Sequence, residues 1–224
     1  MKVIVPATPN LPLGTDQYSR RFQDQFANAL RLYFNQLKNA LGELFNTQGG
    51  SLLGFPFVSA SDSATQYATG DNTATIVQWN TLEAGNAFSL NANYTATASV
   101  TGIYKITYSL QLANNDNLAH DAIVWLRVNG STSTADITNS ATIFTLPARK
   151  SAGVPSYVCG YSEVVFTLSA GDSVGLWWGT DKAATSGGTT GISIFAQAAQ
   201  TTPMAYPATP SAIGSITFVS ALPT

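Results

Sequence analysis

Apolar and polar positions follow two different periods along this chain, and the change from one to the other falls near residue 50. Between Thr15 and Phe45 the apolar residues Phe22, Phe26, Leu30, Tyr33, Leu37, Leu41 and Leu44 succeed one another at spacings of 4, 4, 3, 4, 4 and 3. That is the repeat of one helical face, and it predicts one amphipathic α-helix over residues 15–46. Pairs eleven apart, Phe26 with Leu37 and Leu30 with Leu41, give a nearly straight or slightly right-handed stripe. Thr15 or Asp16 is the expected N-cap, and Gly49 with Gly50 marks the release. The segment also carries Asp16, Arg20, Arg21, Asp24, Arg31, Lys38 and Glu43, so its other face is built for water. Ala29, Ala40 and Gly42 are small enough for neighbouring helices to approach closely.

After a Gly- and Pro-containing joint at residues 47–58, every strong signal has period two. In GIYKITYSLQL, residues Tyr104, Ile106, Tyr108, Leu110 and Leu112 share one face, while Ile103, Lys105, Thr107, Ser109 and Gln111 share the other. Comparable runs are TATIVQW, YTATASV, DAIVWLRV, ATIFTL, YSEVVFTL, DSVGLWW, GISIFAQ and SAIGSITFVSAL, separated by turn segments such as ANNDN, VNGST and LSAGD. Short strands with Gly, Asn and Asp turns predict an antiparallel sandwich or barrel over residues 59–224. Residues 1–14 hold Pro6, Pro9 and Pro12, which favours an extended arm.

Composition narrows the function. Only 10% of the 224 residues are charged, the formal net charge is −2, and the ten basic residues are scattered. No electrostatic footprint for nucleic acid or an anionic membrane results. The start has no apolar run of secretory length and no segment approaches a membrane span, so synthesis in a cytoplasm is expected. The single cysteine, Cys159, sits in the strand-like run SYVCGYSEVVF and reads as a small buried hydrophobe.

Candidate chemistry is sparse. One histidine, His120, and one distant cysteine cannot furnish a zinc or iron site. His120 and Asp121 follow the loop ANNDNLA, and neighbours on a strand point to opposite faces, which argues against a triad. Asn114, Asn115, Asp116 and Asn117 could offer oxygens to calcium, but turn chemistry accounts for them. No catalytic residue, metal or cofactor is expected. In DAIVWLRV the inner set is Val124, Leu126 and Val128, and in SVGLWW it is Val174, Leu176 and Trp178. Ile123, Trp125, Arg127 and Trp177 then turn outward. Outward Trp125, Arg127 and Trp177 suit either a subunit interface or sugar stacking.

The ordered features GIYKITYSLQL, the WLRVNG hairpin at Trp125 to Gly130, LSAGDSVGL at Leu168 to Leu176, and PATPSAI at Pro207 to Ile213 resemble a known domain. It is the jelly roll shared by the complement-component globular head and tumour necrosis factor, particularly the versions in tailed-phage structural proteins. The leading Tyr18 to Leu37 is similar to N-terminal helices of phage virion proteins. The resemblance implies a homotrimer with jelly rolls around a threefold axis. The lone stripe would then bury itself against two copies, making a stalk of about 45 Å if thirty residues are helical. It further implies a non-enzymatic virion component assembled in the host cytoplasm, a capsid decoration or head-fibre knob. Residues 1–45 would contact a major capsid protein or a neck or tail component. Alternatives are a receptor-binding tail-fibre tip, or a soluble lectin-like jelly roll, taking host surface polysaccharide.

Overall fold

The structure is a computed structural model that describes residues 6–11, 19–45, 54–188 and 190–222. Residues Met1–Gly54 and Phe55–Thr224 form two compact units. In the first, residues 6–11 adopt neither helix nor strand, and α1 spans Arg20–Phe45. Its start differs from expectation, because Ser19 supplies the cap. The Ser19 Oγ accepts from the Phe22 N–H at 3.4 Å, and the Ser19 carbonyl accepts the first helical bond from Gln23 at 3.1 Å. Thr15, Asp16, Gly49 and Gly50 lie outside the described residues, as does most of the 47–58 joint.

The stripe is present on the described side chains. Phe22, Leu30, Tyr33 and Leu37 are half-buried together with Ala29 and Ala40, while Phe26 is 37% and Leu41 43% exposed. The Leu44 side chain lies outside the described residues. Phe22 and Phe26 stack with ring centroids 6.2 Å apart. Two apolar residues outside the stripe are unforeseen: Phe34, 58% exposed, and Leu32, 61% exposed. At about 100° per residue, Phe34 falls on the flank of the stripe, whereas Leu32 lies about 130° from its centre, on the polar side.

The second unit is mainly β, two antiparallel sheets in a jelly-roll arrangement. The first sheet contains β1 (Phe57–Asp62), β2 (Gln66–Tyr67), β4 (Thr81–Asn86), β7 (Gly102–Asn114), β10 (Ser156–Leu168), β12 (Ile192–Ile194) and β13 (Ala212–Ser220). The second contains β3 (Thr75–Ile76), β5 (Phe88–Leu90), β6 (Ala96–Ala98), β8 (His120–Val128), β9 (Thr142–Leu146) and β11 (Ser173–Thr180). Strand β7 is the spine: β10 pairs along its whole length from Gly102 to Asn114, and β13 followed by β12 shares its other edge. Outside β13 lies β1 and then β4. In the second sheet β11 pairs with β8, and β8 with β9 at the edge.

The core forms where the two inner faces meet. Tyr104, Ile106, Tyr108, Leu110 and Leu112 enter it from β7, and Val124, Leu126, Val174, Leu176 and Trp178 from β8 and β11. Each fully buried side chain of this kind contributes roughly 1.5–3 kcal/mol of transfer free energy. The inner and outer sets expected for β7 and β11 agree with this burial, and on β8 they do so except at Arg127, which is buried, and Val128, which is half-buried.

Two expectations are corrected. Pairing begins at Phe57, inside the segment read as a joint ending at residue 58, because Val58 and Ala60 carry the inward positions of β1 with little bulk. Cys159 is exposed, because on β10 the residues of its parity, Tyr157, Tyr161 and Val165, face outward, while Gly160, Phe166 and Leu168 are buried. Both faces of that strand are apolar enough for composition to mislead.

Two buried phenols are treated differently. The Tyr104 hydroxyl donates to the Val100 carbonyl at 2.7 Å. Burial pushes the Tyr108 phenol above its usual pKa, with the Thr142 and Ser162 hydroxyls opposing, yet its oxygen meets hydrogen-bond geometry with no partner. Loss of a satisfied hydrogen bond would cost about 1 kcal/mol, whereas loss of an orphan group is neutral or stabilising. Tyr108→Phe is therefore expected to leave the urea unfolding midpoint unchanged or raise it. A midpoint lowered as by loss of a satisfied bond would contradict this reading.

Candidate functional site

Strand pairing assembles the three outward residues singled out in the sequence. Trp125 on β8 stands directly opposite Trp177 on β11, and Arg127 stands opposite Gly175. A Cβ at Gly175 would stand 3.2–3.3 Å from Ile76 Cδ1, Thr95 Cγ2 and Trp177 Nε1, so the missing side chain leaves room for those groups. The Arg127 Cζ is 4.3 Å from the Trp177 ring centroid and 5.4 Å from that of Trp125. The segment after β8 then returns with Asp136, whose Oδ1 accepts from Trp125 Nε1 at 2.8 Å and from Arg127 Nε at 2.5 Å. Arg127 Nη1 donates to the Ser131 carbonyl. One carboxylate oxygen thus fixes both an indole and a cation.

The expectation of an outward Arg127 needs correction in one respect. It points away from the core but is only 5% exposed, because both indoles and the 131–136 return cover it. Trp125 and Trp177 are half-buried.

Hollows flank this cluster. One of about 490 Å³ is lined by Trp177, Arg127, Ile76, Asn93, Thr95, Asn129, Gly130, Ser131 and Ser173. The other, about 320 Å³, lies against Trp125 and Ile123, with Asp121, Asp181 and Asn72 on its walls. Asn129 is held at positive φ (57°), with its amide donating to Asp172 and its side-chain oxygen accepting from the Ser173 N–H.

Sequence reasoning did not foresee a second cluster. His120 Nδ1 lies 2.9 Å from Asp181 Oδ2, and Nε2 lies 3.6 Å from Asp116 Oδ2. The carboxylates stand on opposite sides of the ring, so they do not converge on a common point. Among the described residues no group of three or more His, Cys, Asp or Glu side chains is placed to hold a metal ion. Only the fold brings Asp181 to His120, and no local pattern signals it. The run Asn114–Asn117 is turn chemistry, the Asn114 amide donating to the Leu118 and Pro147 carbonyls.

Burial alone would push the Asp181 carboxyl up, but hydrogen bonds from His120 and the Asp121 N–H, with the His120 charge, outweigh it and hold the group below its usual value. A carboxylate with a lowered folded pKa adds stability above its unfolded pKa of about 3.9, and that contribution fades as the pH falls through the folded value. Asp181→Asn is therefore expected to be less stable than the natural protein at pH ~6, with the difference shrinking below pH ~4. Thermal melts across that range test it. A pH-independent difference would contradict it.

The outer face of the first sheet presents a third feature. Tyr161 and Val165 on β10, Ile213 and Val219 on β13, and Phe57 on β1 are all exposed there. Lys105 and Glu163, 3.3 Å apart, form the ion pair on this face. Among the described residues no helix is long and apolar enough to cross a membrane.

No protein-family model matches the chain, and no curated protein matches it. Among solved structures it is similar to "Structure of Eiger TNF from S. frugiperda", at 11% identity and a TM-score of 0.45, over 75% of this chain and 96% of that one. A likeness of this degree assigns no function. The two-sheet fold rests on the strand pairing itself.

Proposed function

We propose that this chain is a non-enzymatic, homotrimeric structural protein of a tailed-phage particle, a capsid decoration or head-fibre knob held through its N-terminal arm and helix. The observation that carries the proposal is α1. It runs for 26 residues, about 39 Å, with one apolar face on which Phe26 and Leu41 remain more than a third exposed. Three copies about one axis would give that face a dry partner on two sides, and Phe34 on its flank widens it. The exposed apolar positions on the outer face of the first sheet supply a second surface for subunit contact, where the charges include Lys105 paired with Glu163 and Glu83 held by the Ser61 hydroxyl. Particles assembled without the protein are expected to burst at lower osmotic or thermal stress. Particles of unchanged stability, with the protein absent from natural ones, would overturn the virion role.

A further inference from the structure

The hollow beside Trp177 has unmet hydrogen-bonding capacity of one sign. Arg127 spends Nε on Asp136 and Nη1 on Ser131, while Nη2 has no acceptor among the described residues. Asn93 accepts from the Thr95 hydroxyl through Oδ1, and its NH₂ group has no acceptor among the described residues. The Nε1–H of Trp177, whose ring lines the hollow, is buried against Gly175 without an acceptor among the described residues, a state that costs about 1–3 kcal/mol and calls for an explanation. All three are donors. No carboxylate lines the hollow, and its remaining walls are the amide and hydroxyl groups of Asn129, Thr95 and Ser173 beside the apolar surfaces of Trp177 and Ile76.

We propose that this hollow binds a carboxylate-bearing sugar, a hexuronate unit of an acidic polysaccharide. An anion accepts from Nη2, the guanidinium nitrogen left once Nε is on Asp136 and Nη1 on Ser131. Hydroxyls meet the polar walls, and the CH face of the ring lies on the indole and Ile76. At about 490 Å³ the hollow is within the range of small-ligand sites. The site is rigid before binding, since Arg127 is clamped by Asp136, Ser131 and two rings, so little ordering remains to oppose association. The inference is independent of trimer formation: the surface assigned above to subunit contact is on the other sheet, and a single chain contains every residue of the hollow.

The test is calorimetric titration of the full chain with trigalacturonate, maltotriose and triglycine, with ¹⁵N spectra following the indole N–H signals. Trigalacturonate is expected to bind with a Kd of about 1 mM or tighter and to move the Trp177 signal, with maltotriose at least about tenfold weaker. Asn93→Asp keeps the shape and the oxygen that accepts from Thr95 but adds a like charge, and is expected to weaken binding about tenfold. Ser131→Trp, which leaves the carbonyl for Arg127 in place, is expected to fill the hollow and abolish binding. Three results would overturn the site: no heat or shift with trigalacturonate, equal binding of maltotriose, or natural affinity in a folded Asn93→Asp protein. Triglycine binding as tightly as trigalacturonate would overturn its assignment to a saccharide.

Discussion

Gly191→Ala is expected to unfold the β unit at temperatures where the natural protein is intact, with a loss on the order of 3–5 kcal/mol. Gly191 is buried at φ +82°, and a Cβ there would stand 2.6 Å from the Ala183 carbonyl carbon and oxygen and 2.7 Å from the Ala184 nitrogen. These are backbone atoms of a segment tied in place, since Ile192 N–H donates to Lys182 and Ala184 N–H to Ile192. The Gly191 carbonyl also accepts from Asn115 at 3.0 Å, just past the end of β7. Relieving the clash would pull β12, with its fully buried Ile192 and Ile194, away from the spine strand. For a domain of this size the loss corresponds to a fall of about 10 °C in Tm. Gly187→Ala is the control: φ is +72° there, but a Cβ would meet open space, so only the conformational penalty of about 1 kcal/mol applies. Equal melting temperatures for the two variants would contradict the clash.

The second large effect concerns assembly. Leu30→Asp with Leu37→Asp places two carboxylates on the half-buried stripe of α1, and three copies would bring six into one seam. Removing such charges from water costs several kcal/mol each, far more than their repulsion alone in solvent. The trimer is expected to fall to single chains at micromolar concentration. The β unit, compact in its own right, keeps its near-ultraviolet dichroism. A matched Asn35→Asp, on the exposed side opposite the stripe, leaves the mass unchanged. A double variant that stays threefold in mass would remove the helix from the assembly.

Much of the β unit was legible because alternation in β7, β8 and β11 is strong enough to fix which residues face inward. Less was legible where the chain relies on small residues: β1 buries Val58 and Ala60, and β4 is exposed throughout, so neither stands out from its turns. The Trp and Arg positions were readable as outward from parity. Their union was not, since it depends on β8 and β11 pairing in one register and on Asp136 returning beneath them. Arg127 is buried by partners fifty residues away and nine residues on, which no periodicity encodes. The partnership of His120 with Asp181 is hidden for the same reason. In the helix the stripe was plain, but its start was set by Ser19, a cap that competes with the earlier Thr15 and Asp16.

The account turns on whether three chains share one axis. Light scattering on the purified full-length protein at micromolar concentration measures this directly. The expected mass is three times the 23.6 kDa of one chain. A folded species of 23.6 kDa would contradict it.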